Sequence, residues 1–226
     1  MSRPWEERTL EVRDLGQVRY EAGLDLQAGL VRDRRAEAVS DVLLLLEHPH
    51  VITSGSGGDE GHILASDAEL SRRGIEVISA GRGGDVTYHG PGQLVGYAIL
   101  DLKPDRQDLH RHLRALEGVL ISALDDFGIK AEREPSLTGV WVGGSKVGAI
   151  GIRVSSGWIS SHGFALNVTT DLSYFDTIVP CGIQDRSVTS LAQLLTAQPS
   201  MAEVKTAVTR AFVSEFGYLG TEEGSG

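Results

Sequence analysis

Apolar positions along the chain change period several times, and each change predicts an element. Leu10 to Asp14 reads as a first strand. Gln17 to Arg35 spaces Val, Ala and Leu among charges, the pattern of an amphipathic helix. Val42 to Leu46 is an unbroken apolar run, short enough for a buried strand. Ser66 to Arg73 predicts a short helix ended by Gly74, and Ile75 to Ser79 another strand. Val86–Tyr88 and Leu94–Leu100 follow as strands split by Gly90-Pro91-Gly92, so the glycine loop 81–84 is expected to lead into a hairpin. Leu109, Leu113, Leu116, Leu120, Leu124 and Phe127 recur every three or four residues, a helix that Gly128 ends. Gly139 to Val168 fits two or three strands in a meander, turning at Ser155-Ser156-Gly157. Helices over Ser187–Leu195 and Ser200–Phe216 close the chain, the second with the capping-box pair Ser200 and Glu203. Strands come in adjacent groups more than in strict βαβ alternation, which predicts an α+β fold with a mixed or antiparallel sheet.

No shift of composition marks a boundary within the 226 residues, so one domain is expected over 1–220, with 221–226 a small, acidic, disordered tail. Lys and Arg number 21 against 31 Asp and Glu, a net charge of −10, which argues against wrapping nucleic acid. The longest aliphatic run, Val42 to Leu46, falls far short of the roughly 20 residues that cross a bilayer. The N-terminus mixes acids with bases and has no apolar core, so a cytoplasmic location is expected. A single cysteine, Cys181, excludes an intrachain disulfide and a multi-cysteine zinc site, and it suits a reducing compartment.

Cys181 sits in Val179-Pro180-Cys181-Gly182-Ile183, a turn rather than the interior of an element. It reads either as a small buried hydrophobe or as a nucleophile, which would need a base or cation nearby to hold the thiolate. Lys146 lies in Gly143-Gly144-Ser145-Lys146-Val147-Gly148-Ala149-Ile150-Gly151, between apolar pairs, where a strand lysine can point into a pocket. Neutral, it would be a base; charged, it would stabilise a thiolate; the sequence leaves both open. Arg82-Gly83-Gly84-Asp85-Val86-Thr87-Tyr88-His89-Gly90-Pro91-Gly92-Gln93 packs more polar groups than a structural turn requires, while its glycines would let a ligand approach the backbone. It lacks the Gly-Lys-Ser/Thr of a P-loop. His162, in Ser161-His162-Gly163-Phe164-Ala165-Leu166-Asn167, reads equally as a structural histidine or a pocket group. His48 and His50 flank Pro49 without the further ligands of a metal site, and no metal is expected. Lys103, Arg106, His110, Arg111, His112 and Arg114, interrupted by Asp101, Asp105 and Asp108, form a basic stretch: a solvated helix start, or a docking patch for an acidic partner.

Taken in order, these motifs resemble the lipoyl(octanoyl) transferase family. The likeness rests on Arg82 to Tyr97, Lys146 to Gly151, His162 to Asn167 and Ile178 to Gly182, with Leu43-Leu44-Leu45-Leu46-Glu47-His48-Pro49 upstream. Gly148 and Phe164 depart from what close relatives carry, at positions without a catalytic role. The resemblance implies a biotin/lipoate protein ligase-like catalytic domain with a central mixed β-sheet flanked by helices. It implies transfer of octanoyl from acyl carrier protein to a specific lysine of lipoyl domains, those of 2-oxoacid dehydrogenase E2 subunits and of the glycine cleavage H protein. No cofactor is implied. Cys181 would be the acyl-thioester nucleophile and Lys146 the group that lowers its pKa and moves protons. Arg82, Gly83, Gly84, Asp85, Val86, Thr87, Tyr88 and His89 would line the substrate site, with Ala149, Ile150, Gly151, Gly163, Phe164 and Ala165. For an acidic donor, Arg72, Arg73 and the 103–114 stretch are the candidate contacts. The rival readings are an ATP-dependent lipoate or biotin ligase, an amidotransferase between lipoyl domains, and a non-catalytic acyl-binding module.

Overall fold

The structure, a computed structural model, describes residues 8–179 and 187–223. Its elements are β1 (Leu10–Gln17), α1 (Tyr20–Arg35), β2 (Asp41–Glu47), β3 (Val51–Ser54), α2 (Asp67–Arg73), β4 (Glu76–Ser79), β5 (Val86–His89), β6 (Gln93–Ile99), α3 (Leu109–Asp125), β7 (Val140–Val142), β8 (Ser145–Val154), β9 (Ser160–Asn167), α4 (Leu191–Leu194), α5 (Met201–Phe216) and β10 (Thr221–Glu223). Short 3-10 turns occupy Glu60–His62 and Leu172–Thr177. Seven strands lie in the order β10-β1-β2-β6-β9-β8-β7; β1 is parallel to both neighbours and the other pairs are antiparallel. A small sheet, β4-β3-β5, stands beside it. The mixed α+β architecture is the one the grouping of strands predicts.

β2 shows why its sequence is unbroken rather than alternating. Leu43 and Leu45 pack with Leu120 of α3 and Phe212 of α5, while Val42, Leu44 and Leu46 pack with Leu30 of α1. A strand buried on both faces needs apolar residues at every position. The helices are capped as their sequences suggest. Ser66 accepts from Glu69 N ahead of α2, Ser200 and Glu203 complete the capping box of α5, and Gly74 and Gly217 take left-handed conformations after those helices.

Asp41, at the head of β2, is fully buried and anchors both termini of the described chain. Its Oδ1 accepts from Arg34 Nε (2.7 Å) and Asp101 N (2.9 Å), its Oδ2 from Arg8 Nη1 (3.2 Å) and Tyr218 Oη (3.0 Å). Asp41→Ala leaves two buried guanidinium groups short of their counter-charge, so the expected loss is about 3–5 kcal/mol. The shift of the urea midpoint measures it.

Several elements differ from the pattern. The first helix begins at Tyr20, not Gln17, because β1 continues past a bulge at Gly16 to pair Gln17 with Glu47. β5 and β6 do not form a hairpin. β5 pairs with β3, β6 with β2 and β9, and Gly90-Pro91-Gly92 carries the chain from one sheet to the other. Gly92 has φ +79°, and a Cβ there would lie 2.6 Å from Thr169 Oγ1. Val51–Ser54, for which the sequence pattern predicts no element, is the central strand β3. The helix expected over Ser187–Leu195 shrinks to Leu191–Leu194, because Val188 bridges β8 in parallel at Lys146. Thr221–Glu223, expected as the start of a disordered tail, extends the large sheet as β10, satisfying an edge of β1. Among the described residues no helix is long and apolar enough to cross a membrane.

Candidate active site

A cleft opens where the glycine loop meets β8. Gly83 N donates to Ile152 O (2.9 Å), laying residues 82–84 against that strand. Arg82 holds the loop from the other side. Its Nη2 donates to Thr53 O (2.8 Å) and Thr53 Oγ1 (2.7 Å) on β3, its Nη1 to Gly83 O (3.1 Å), and it is 7% exposed. The cleft has two chambers that share Gly83, Gly84, Asp85, Ala149, Ile150 and Gly151 as their common wall.

The inner chamber is narrow, ≈ 60 Å³. Of the fourteen residues expected around a substrate, thirteen line it: Arg82, Gly83, Gly84, Asp85, Val86, Thr87, His89, Ala149, Ile150, Gly151, Gly163, Phe164 and Ala165. Tyr88 does not. Strand alternation turns it to the opposite face of β5, where its hydroxyl meets His50 Nδ1 (2.8 Å) and its ring stacks on Tyr174. Tyr20, Val95, Tyr97 and His162 complete the wall. His162 was legible as a candidate and Tyr97 closes the motif that begins at Arg82. Tyr20, at the first turn of α1, carries no sequence signal.

The rings behind this chamber are tied into a network. His48 Nδ1 donates to Val18 O (2.6 Å), so its Nε2 accepts from Tyr97 Oη (2.7 Å). Gln93 donates its amide to Tyr88 O and Asn167 Oδ1, which leaves its Oε1 for His89 Nδ1 (2.7 Å). His89 therefore carries its proton on Nδ1. Burial lowers the pKa of His48 to about 4 and that of His89 to about 3. His162 is likewise lowered to about 4 by burial, aided by the Arg82 and Arg153 charges. All three rings are neutral at pH 7, so the floor of the chamber presents uncharged imidazole and phenol.

The outer chamber is wider, ≈ 470 Å³, and is lined by Lys146 together with Leu113 of α3 and Ser136, Leu137 and Thr138. Lys146 is 9% exposed, with Nζ 4.8 Å from the centroid of the Trp141 ring. Gly139 leaves room for its stem: a Cβ there would be 3.3 Å from Lys146 Cε. Its main chain pairs with the returning segment, Lys146 N to Ser187 O (2.9 Å) and Thr189 N to Lys146 O (2.9 Å). Thr189 O in turn accepts from Asn167 Nδ2 (3.0 Å), which links Lys146 to the network around His89 through Gln93.

Cys181 lies outside the described residues. The chain on either side of it is fixed. Before it, Val179 N donates to His62 O (2.8 Å) and Ile178 bridges Ile63; after it, Ser187 meets Lys146. His62 Nδ1 in turn meets Asp85 Oδ2 (2.6 Å), and Asp85 lines both chambers.

The candidate docking residues are not one solvated face. Arg72 is exposed beside Glu69, whereas Arg73 lies over the Tyr174 ring and donates to Ser173 O. Within the 103–114 stretch, His112 is 3% exposed, packed edge-on against Phe216, and Arg106 donates to Phe216 O (2.9 Å). Among the described residues no group of three or more His, Cys, Asp or Glu could hold a metal ion.

Residues 19–213 match the family model described as the lipoyl protein ligase A/B catalytic domain. An octanoyltransferase of Solibacter usitatus is 51% identical over 207 residues, covering 92% of this chain and 93% of its own. In fold, a lipoate-protein ligase A solved bound with ATP superposes with a TM-score of 0.73 at 17% identity, covering 96% of this chain and 88% of that one. The biotin protein ligase of Aquifex aeolicus in complex with biotin and ATP superposes at 0.55 with 16% identity, covering 91% and 70%. The architecture is thus shared with ligases, while sequence identity over nearly the whole length places this chain among the octanoyltransferases of the lipoyl protein ligase A/B catalytic-domain family.

Proposed function

We propose that the protein moves an octanoyl group from acyl carrier protein to a specific lysine of a lipoyl domain, through a thioester on Cys181. The observation that carries the reading is the place of Lys146. Its buried side chain lines the outer chamber, and its main-chain N–H donates to Ser187 O, where the chain returns after Cys181. A cation so placed favours the thiolate.

In the first half-reaction the Cys181 sulfur attacks the thioester carbonyl, the bond to the carrier sulfur breaks, and the carrier thiol leaves with a proton. In the second, the acceptor amine attacks, the bond to Cys181 breaks, and the amide forms. The amine gives up its proton on the way, with Lys146 as the group that relays it. One thioester replaces another at little cost, and the amide drives the cycle. The donor is already activated, so the chemistry calls for no ATP.

The inner chamber suits the chain itself. Neutral aromatic and imidazole rings line much of it beside the Arg82 guanidinium, and each buried CH₂ of a methylene tail contributes about 0.8 kcal/mol. Acceptors fitting this reading are the lipoyl domains of 2-oxoacid dehydrogenase E2 subunits and the glycine cleavage H protein, in the cytoplasm.

Intact mass after mixing with octanoyl-acyl carrier protein, without ATP, tests the reading. One added octanoyl group, removed by hydroxylamine and absent in Cys181→Ser, is the expected result. No adduct while a lipoyl domain is still octanoylated would take Cys181 out of its covalent role. Transfer from free octanoate that requires ATP would instead assign ligase chemistry.

A further inference from the structure

Behind the cleft a second recess, ≈ 210 Å³, opens between the first turns of α3, Arg133 and the end of α5. Four guanidinium groups line it, those of Arg106, Arg111, Arg114 and Arg133. Carboxylates answer them, Asp105 beside Arg106 and two more deeper and at the rim. Glu117, fully buried, accepts from Arg114 Nη1 (2.7 Å) and Arg133 Nε (3.1 Å), and Glu215 stands exposed at the rim. Guanidinium groups outnumber the carboxylates named around the recess, in a chain of net −10. Arg111 is exposed, and its side chain bonds to no described residue.

At the back of the recess stands His112, 3% exposed, whose Nε2 is buried without a hydrogen-bond partner among the described residues. Leaving such a group unmade costs about 1–3 kcal/mol. Burial first, and the Arg106 charge second, hold its pKa down to about 4, so the ring is neutral at pH 7. Ringed by guanidinium groups, a neutral imidazole can offer Nε2–H to an incoming oxygen. The neighbouring residue, Leu113, lines the outer chamber, so recess and cleft share one stretch of α3.

We propose that this recess is an oxyanion site that binds a phosphate ester. A tetrahedral phosphate presents separate oxygens to Arg111, Arg114 and His112 at once, and guanidinium forks suit it. The phosphate has two possible sources: free phosphate, or a phosphate ester on the acyl donor. The second rests on the transferase reading above.

Inorganic phosphate titrated into the full-length protein, followed by calorimetry and by the His112 imidazole resonances, is the test. Saturable binding that perturbs His112 and weakens about tenfold in Arg111→Gln is expected, the loss of one charge-assisted hydrogen bond. Arg111 is exposed, so that variant keeps the fold; His112→Phe, checked by its melting temperature, removes the buried donor and is expected to weaken binding as well. No saturable binding, or binding equal in wild type and both variants, overturns the site. A second arm compares KM for the octanoyl thioesters of phosphopantetheine and of pantetheine. A KM about tenfold lower with the phosphate, the difference vanishing in Arg111→Gln, assigns the ester to the donor. Equal KM values with phosphate binding intact assign the site to free phosphate. If neither thioester is used, the transferase reading fails at that point, while the titration still decides the site.

Discussion

Lys146→Met is expected to lower the rate of octanoyl transfer by about 10³-fold while leaving the melting temperature within a few degrees of wild type. The Lys146 stem lies against Gly139 and Trp141, which methionine also fills, and the pairing with Ser187 and Thr189 runs through the backbone, which methionine keeps. What methionine removes is the charge and the proton. The two jobs are separable by a second variant. Lys146→Arg preserves the cation but cannot give up its proton at neutral pH. Should arginine restore formation of the Cys181 adduct without restoring release to a lipoyl domain, Lys146 holds the thiolate in the first half-reaction and relays a proton in the second. Should both variants form the adduct at the wild-type rate, Lys146 is no partner of Cys181.

Trp141 bears on the same result. Its ring lies under Nζ at 4.8 Å and is itself 1% exposed. An aromatic face attracts a cation, by about 2 kcal/mol when desolvated, and so offsets part of the cost of burying the ammonium. The sequence places Trp141 five residues before Lys146, across a two-glycine turn whose φ values are +56° and +81°. That turn, Gly143-Gly144, folds β7 back on β8 and pairs Trp141 with Lys146 in register.

Much of this is legible in the sequence, and what is not has physical causes. The glycine loop, the lysine and the His162–Asn167 stretch announce themselves because glycine beside polar residues is an unusual pattern for a core. Local pattern also fixes α2, α3 and α5, whose caps and periods lie within a single turn or two. Partnership does not lie there. β5 and β6 read as a hairpin because a turn sits between them, yet the pairing depends on β3, four residues too short to alternate and hidden behind Pro49. Tyr88 departs from the expected site by the same limit: membership of a motif says nothing about which face of a strand a residue occupies. The 103–114 stretch misleads in the opposite sense. Its charges suggest a solvated face, but the end of α5, a hundred residues away, covers His112 and holds Arg106.

Acidification is expected to cost the protein most of its stability between pH 6.5 and pH 4.5. Burial holds His48, His112 and His162 at about 4 and His89 at about 3, against about 6.5 in an unfolded chain. A depressed folded pKa means that the contribution is fully present above the unfolded value and is lost as pH falls towards the folded one. Near pH 5 the unfolded chain holds a proton on nearly every one of these rings and the folded chain on almost none. Unfolding therefore takes up about three to four protons, and stability falls by about 4–5 kcal/mol per pH unit, against a total of about 5–15 kcal/mol. Asp14 and Asp171, whose pKa values are lowered, act below this window and leave it undisturbed. Urea midpoints measured in half-unit steps of pH give the slope. His112→Phe removes one titrating ring and is expected to reduce the uptake by about one proton. The outcome reaches beyond stability. Three of the four rings line the inner chamber or stand behind it, and they are neutral chiefly because burial keeps water from them. A midpoint that stays flat from pH 7 to pH 5 would mean that these histidines charge freely, and a floor of charged imidazoles is one that a methylene chain would avoid.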